Sequence, residues 1–165
     1  MRRRRESVRA GRGRVRGRLG GGEYPVATVI LYGPDDRTAT KIAVGVLEHP
    51  GAEAEIVGRW YGNALLEEDP HLVREIQELL RRRGVRMVVM NDQIFGCPHE
   101  EGVDFPEGKD CPKCPFWEGM QGTAAVDGDE RVVSAISFPA SRLEGAVSML
   151  PFIKRLRERA VPLGR

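Results

Sequence analysis

Three cysteines and a histidine that fall within eighteen residues constrain this chain more than any other feature. Cys97-Pro98-His99 is followed, after eleven residues, by Cys111-Pro112-Lys113-Cys114. Two close pairs of sulfur and imidazole ligands can each occupy two corners of a tetrahedron, which is the geometry of structural Zn²⁺ sites. The spacing therefore predicts one zinc ion bound by Cys97, His99, Cys111 and Cys114.

The segment that carries this motif has little apolar content with which to form a core of its own. Residues 93–119 contain four prolines and four glycines, and their apolar candidates are Phe95, Val103, Phe105, Phe116 and Trp117. A bound metal can supply the missing folding free energy, on the order of 10 kcal/mol in small zinc domains. We therefore interpret residues 93–119 as a zinc-stabilised insertion.

A catalytic zinc is the alternative to a structural one. His99-Glu100-Glu101 followed by the CxxC at Cys111 resembles the HxE and CxxC motifs of zinc nucleobase deaminases, whose Glu moves protons between a zinc-bound water and the base. Three features depart from that family: the eleven-residue interval cannot hold the helix and strand that separate the motifs, no proline precedes Cys111, and Cys97 offers a fourth protein ligand. Four protein ligands leave no position for water, so the sequence favours structural zinc.

The use of cysteine also bears on other metal chemistry and on the cellular compartment. A redox CxxC normally opens a helix, and Pro115 directly after Cys114 does not favour one, so a redox pair or an iron–sulfur cluster is a weaker alternative. Three cysteines cannot form a closed disulfide framework, and we expect a reducing, cytoplasmic environment. No apolar run approaches the roughly 18 residues that cross a bilayer, and no apolar stretch follows the basic start as in a signal peptide.

Outside residues 93–119 the apolar pattern predicts alternating strands and helices. The β-branched runs at 26–32, 54–61 and 85–90 indicate buried strands. A helix is expected at 37–48, with Asp36 as its N-cap, and a second begins at Asp69-Pro70. Residues 123–126 and 131–138 predict a hairpin, and the capping box of Ser141 and Glu144 predicts a final helix.

This order of elements is typical of an α/β protein. Strand, helix, strand, helix, strand favours right-handed crossovers onto a mostly parallel sheet. We therefore predict a single domain over residues 23–165, in three layers, with a sheet of about four or five strands, a C-terminal hairpin and helix, and the zinc-binding insertion.

Charge divides the chain near residue 22. Residues 1–22 carry nine Arg and one Glu with many Gly, whereas the remaining residues carry 17 basic and 23 acidic groups. The Arg/Gly-rich composition predicts a disordered tail, because it offers too little apolar surface to offset the entropy of ordering. The arginines from Arg2 to Arg18 could bind phosphate backbones without sequence preference, and a solvated extension is the alternative.

Polar residues at the ends of the predicted strands suggest a ligand site. In open α/β sheets, ligands bind beyond the carboxyl ends of parallel strands, next to which the insertion would also lie. The candidate ligand-binding residues are Asp35, Asp36, Lys41, Arg59, Trp60 and Asp92, with Glu100 and Glu101 from the insertion. Each has a purely structural alternative as a helix cap, a turn residue or a packing side chain.

The leading hypothesis from these patterns is a small zinc-binding α/β protein that acts as a binding or regulatory module for an unidentified protein or small molecule. A second hypothesis is an enzyme of hydrolase or deaminase type, which uses the catalytic zinc or two carboxylates at the sheet edge as acid and base. A third is association with nucleic acid through the Arg-rich tail. None requires a membrane.

Overall fold

The computed structural model describes residues 23–63, 66–120, 135–146 and 148–149. The predicted tail at residues 1–22 and the first strand of the predicted hairpin, 123–126, lie outside these ranges. The helices and strands are β1 Val26–Tyr32, β2 Lys41–Leu47, β3 Glu55–Tyr61, α1 Pro70–Arg82, β4 Met87–Ile94 and β5 Ala135–Pro139.

The five strands form one mixed sheet in the order β3-β2-β1-β4-β5. β1 pairs in parallel with β4, whereas the pairs β1–β2, β2–β3 and β4–β5 are antiparallel. In the described ranges α1 is the single α-helix. The predicted three-layer fold with a mostly parallel sheet is therefore wrong.

The main cause of this error is the segment predicted as a helix at 37–48, which forms strand β2. Its apolar residues Ile42, Ala43, Val46 and Leu47 fit a helical stripe, but residues 41–46 are all buried. A run buried on both faces and rich in β-branched residues is typical of an interior strand. β2 lies between β1 and β3, and Asp36 caps no helix.

Helix α1 confirms the prediction of a helix that begins at Pro70. The Asp69 side chain accepts hydrogen bonds from the backbone N–H groups of His71 and Leu72, at 2.8 and 3.4 Å, and so acts as the N-cap. One face of the helix is buried with the apolar side chains of the strands in a continuous core. The buried residues of α1 are Leu72, Val73, Ile76 and Leu80.

The C-terminal part differs from the prediction where it is described. Ala135–Pro139 forms β5 and pairs with β4, within the segment predicted as the second strand of a hairpin. Ser141 lies in a 3-10 turn, Ala140–Arg142, and Glu144 lies in a further turn, so the predicted α-helix does not begin at this capping box. Residues 151–165 lie outside the described ranges.

The directions of the strands bring several ends to one edge of the sheet. Because β2 is antiparallel to both of its neighbours, β3 runs in the same direction as β1, and β4 does too. The carboxyl ends of β1, β3 and β4 therefore meet where β2 begins at Lys41. The segment after β4, residues 95–120, continues from this edge, and we call it the metal loop.

Among the described residues, no helix has both the length and the apolar character needed to cross a membrane.

Candidate metal centre

The four residues of the Cys/His motif come together in the metal loop. Their ligand atoms all lie within 4.8 Å of one another, and the three cysteines are free of disulfide bonds. His99 Nδ1 lies 3.3 Å from Cys97 Sγ, 3.4 Å from Cys114 Sγ and 3.5 Å from Cys111 Sγ. Zinc–ligand bonds of ordinary length place sulfur and nitrogen about 3.5 Å apart along the edge of a tetrahedron. These four residues can therefore hold a metal ion, and a set of three thiolates and one imidazole suits Zn²⁺.

Local backbone contacts shape the loop around the four ligands. The N–H of His99 points to Cys97 Sγ at 3.3 Å, and the N–H of Cys114 donates to the carbonyl of Cys111 at 3.3 Å, so each ligand pair closes its own tight turn. Between the pairs, Gly102 and Gly108 have φ values of 79° and 74°. An L side chain rarely adopts this left-handed conformation, which glycine allows.

Burial of the sulfur ligands affects their protonation in the metal-free chain. Desolvation raises the pKa of the Cys97 thiol and is the largest effect on Cys114, whose pKa it raises, together with the neighbouring thiols, to about 12. A coordinated cation reverses this preference because it binds the thiolate directly. Metal binding at these residues therefore requires the release of protons.

The metal loop is fixed to the end of β1 by three hydrogen bonds. The N–H of Phe95 donates to the carbonyl of Leu31 at 2.8 Å, and the N–H of Gly33 donates to the carbonyl of Gly96 at 3.0 Å. The indole N–H of Trp117, which is buried, donates to the carbonyl of Gly33 at 2.8 Å. The buried ligands Cys97, Cys111 and Cys114 belong to the same apolar core as the sheet.

A second attachment is centred on Lys41, the first residue of β2. Its cross-strand neighbours are Tyr32 on β1 and Tyr61 on β3, and its Nζ lies 5.3 Å from the centroid of each ring. This distance is within the range of cation–π contacts. Nζ also donates to the carbonyl of Pro98 at 3.1 Å and contacts Glu100 Oε1 at 2.7 Å, and the side chain is only 5% exposed.

Glu100 connects this lysine with a second cation. Its Oε1 lies 3.0 Å from Nε of Arg59, whose side chain is 40% exposed. The hydrogen bond from Lys41 and the charges of Lys41 and Arg59 hold the pKa of Glu100 below its ordinary value. Burial raises the pKa of Tyr32, and the negative charge of Glu100 adds to that effect.

The structure brings together only part of the ligand site expected at the sheet edge. Lys41, Arg59 and Glu100 meet, whereas Asp35 accepts the N–H groups of Arg37 and Thr38, both at 2.9 Å, in a turn. These two hydrogen bonds lower the pKa of Asp35.

The other candidates lie apart from the Lys41 cluster or belong to the core. Asp36 is exposed and lies 3.8 Å from Arg37, and Trp60 packs against the core. Asp92 lies inside β4, where the pairing with β1 is irregular, and its side chain is not described. The carboxylate of Glu101 accepts the N–H of Gly108.

Tyr32 and Tyr61, which contact Lys41, are not among the ligand-binding residues predicted from the sequence. Their sequence signal is their position at the last residue of a predicted strand, but their approach to Lys41 depends on the pairing of β2 with both neighbours. A prediction that treats β2 as a helix cannot find this row of three residues.

Comparisons with known proteins give no assignment: no family model, no curated protein and no solved structure matches this chain.

Proposed function

We propose that this protein is a binding module in which Cys97, His99, Cys111 and Cys114 hold one structural zinc ion. The observation that carries the proposal is the position of His99 Nδ1, 3.3–3.5 Å from all three sulfur atoms. Such an arrangement supplies all four corners of a tetrahedron from the protein. The metal then keeps the loop against the edge of the sheet, where the loop contributes to an interaction surface.

The contacts of the nearby carboxylates support a structural role for the zinc. A hydrolytic site needs an open coordination position and a carboxylate near the zinc-bound water. Glu101, the Glu of the HxE pattern, is exposed and bonded to the Gly108 amide, and Glu100 contacts Lys41 and Arg59. Both carboxylates are therefore engaged by other groups of the protein, which disfavours either as the proton carrier of a deaminase.

The other two functional hypotheses gain no specific support. Asp35 and Asp36 make turn and surface contacts, which do not bring them together as an acid–base pair. The Arg-rich tail lies outside the described residues, so nucleic-acid association through Arg2 to Arg18 stays a prediction from composition.

Elemental analysis of the purified protein tests the proposed metal site. We expect one zinc per chain in the wild type and loss of zinc in Cys97→Ala, Cys111→Ser and His99→Ala. His49→Ala is the matched control, because His49 is exposed and its ring forms a hydrogen bond with the carbonyl of Pro50. It should keep the full zinc content.

The fate of Cys97→Ala separates structural from catalytic zinc. We expect this variant to lose both metal and stability, because three remaining ligands cannot complete the site. Full zinc retention in a stably folded Cys97→Ala protein would mean that a water molecule can take the fourth position, and the structural proposal would fail. A wild type that contains no metal after purification and binds none on titration would also refute it.

A further inference from the structure

The cluster that fixes the metal loop to the sheet has the composition of a ligand site. It combines a buried lysine, a partly exposed arginine and two tyrosines, and the carboxylate that contacts both cations is that of Glu100. Both cations contact the same oxygen, Oε1, so one carboxylate balances two positive charges. We propose that Tyr32, Lys41, Arg59 and Tyr61 form a carboxylate-binding site that Glu100 fills from within while the metal loop is closed.

The location of Lys41 carries the first step of this argument. An ammonium that is 5% exposed loses most of its hydration, and it is retained where charges and hydrogen bonds compensate. Pro98 and Glu100 provide this compensation, and both residues belong to the loop rather than to the sheet. When the loop moves away, Lys41 loses both oxygen partners at once and requires another acceptor.

The second step concerns the open side of the cluster. Nε of Arg59 is used by Glu100, and in the described part of the chain neither of its terminal nitrogens has a hydrogen-bond partner. Tyr61, beside Lys41 on the outer strand β3, is 63% exposed. A guanidinium binds a carboxylate through two parallel hydrogen bonds, and an adjacent ring can cover the hydrocarbon part of the ligand. An entering carboxylate can therefore contact Arg59 first and then displace Glu100.

The third step connects this site with the metal. Glu100 directly follows the ligand His99, and Pro98 lies between the ligands Cys97 and His99. Metal coordination fixes the backbone on both sides of Pro98 and directly before Glu100, so loss of the metal should loosen this short stretch beside Lys41 and uncover the site. This dependence on metal rests on the proposed function, whereas the carboxylate site itself rests only on the contacts of Lys41 and Arg59.

Glu100→Gln in the zinc-loaded protein tests the site without removing the metal. The probe is a fluorescein-labelled oligoglutamate peptide, and its binding is measured by fluorescence anisotropy. We expect Glu100→Gln to bind about tenfold more tightly than the wild type, because the internal competitor loses its charge. Glu107→Gln makes the same change of charge at an exposed position of the loop and should bind like the wild type.

Arg59→Gln, combined with Glu100→Gln, should remove the gain in affinity. Displacement of the peptide by succinate would identify a small carboxylic acid as a sufficient ligand, and displacement only by unlabelled peptide would identify an acidic protein segment. Equal affinities of Glu100→Gln and Glu107→Gln would overturn the proposal, as would an affinity of Glu100→Gln that does not depend on Arg59.

Amine acetylation followed by mass spectrometry tests the cover over Lys41 independently of any ligand. Exposed Lys109 and Lys113 serve as internal references in the same loop. We expect slow labelling of Lys41 in the zinc-loaded wild type, and faster labelling both in Glu100→Gln and after chelation. Unchanged labelling after chelation of zinc would refute the gating by metal, whereas absence of zinc in the wild type would refute the proposed function and leave the Glu100→Gln comparison valid.

Discussion

At the scale of single residues, Gly33 is the position at which the sheet and the metal loop are most closely joined. Its N–H donates to Gly96, and its carbonyl accepts the indole N–H of Trp117. The chain then turns back toward β2, so that a Cβ on Gly33 would lie 1.9 Å from the backbone oxygen of Thr38. A side chain there cannot be accommodated by a change of rotamer, because the atom that it meets belongs to the backbone.

We therefore expect Gly33→Ala to lower the free energy of unfolding by about 1–3 kcal/mol, in the range of overpacked sites. Urea denaturation of the zinc-loaded protein measures this change. Gly96→Ala is the matched control at the other end of the same hydrogen bond, because the nearest described atom to its Cβ would be a Tyr32 ring carbon at 4.0 Å. Equal stabilities of the two variants would contradict the close approach at Gly33.

The raised pKa values of two thiols give a second prediction at this scale. In the metal-free protein Cys97 and Cys114 both have pKa values above those of ordinary thiols, so both are protonated near pH 7 and must release a proton when zinc binds. Each released proton strengthens apparent zinc affinity about tenfold per unit rise in pH. Two protons alone therefore predict an increase of at least about 100-fold per unit between pH 6 and pH 8.

Competition with a chromophoric chelator at several pH values measures this slope, after correction for the chelator's own protonation. His49→Ala, which leaves all four Cys and His residues of the site in place, should keep both the affinity and the slope. An apparent affinity that does not vary with pH would show that the thiols are already ionised in the metal-free chain.

The convergence of four Cys and His residues that can hold a metal could be predicted from the sequence, because their spacing is local and the chemistry of sulfur and imidazole is specific. The approach of Nδ1 of His99 to the three sulfur atoms could not be predicted, since it depends on the turn at Cys97. The contact of Lys41 with Glu100 could not be predicted from the sequence either. Both residues were candidates for the sheet edge, but they are 59 positions apart, and their pairing depends on how the loop folds back over β2.

At the scale of elements, two aspartates differ in the segment that follows them: Asp69 precedes helix α1, and Asp36, predicted as an N-cap, precedes strand β2. Asp69 accepts two N–H groups at the start of α1, whereas Asp36 precedes a segment that is extended. We expect Asp69→Ala to destabilise the protein by about 1 kcal/mol, the usual cost of losing an N-cap. Asp36→Ala should change stability by less than about 0.5 kcal/mol, as at other exposed positions.

Chemical denaturation of the two variants, followed by circular dichroism, provides the comparison. The α1 signal is the relevant readout, because α1 is the α-helix in the described part of the chain. Equal losses of stability in the two variants would contradict the cap at Asp69.

The contrast between α1 and β2 explains which elements could be predicted. α1 has polar residues on one face, apolar residues on the other, and signals at both ends, so its pattern fits only a helix. In β2 the apolar run is continuous and short, so the helical period of 3.6 residues and the strand period of two residues fit it equally well. Tertiary structure determines that this segment is a strand, since β2 lies between two strands and all its residues from 41 to 46 are buried.

At the scale of the whole molecule, the incorrect prediction of a helix at 37–48 gave the wrong architecture. The carboxyl ends of β1 and β3 nevertheless lie at one edge of the sheet, as predicted. The segment predicted as a crossover helix is instead strand β2, which lies between β1 and β3 and pairs antiparallel with each of them. Because two antiparallel pairings reverse the direction twice, β3 still runs in the direction of β1. The residues at the ends of β1 and β3 thus share an edge with Lys41 and the metal loop, although the sheet is not mostly parallel.

Removal of the metal should reveal how far this loop is part of the main fold. Its three cysteines, with Phe105 and Trp117, are buried in the same core as the side chains of the sheet and α1. An independent module would open alone, whereas a shared core predicts that the loop and the sheet lose stability together. We expect chelation with EDTA to lower the melting temperature of the entire domain in one cooperative transition.

Two probes distinguish these outcomes in a Trp60→Phe variant, in which Trp117 is the remaining tryptophan. Its fluorescence reports on the loop, and far-ultraviolet circular dichroism reports on α1 and the sheet. The two melting curves should coincide with and without zinc, and both should shift to lower temperature after chelation. If chelation changed the fluorescence of Trp117 but left the dichroism melt in place, the metal would stabilise the loop alone. The hydrogen bond from Trp117 to Gly33 would then be too weak to couple the loop to the sheet.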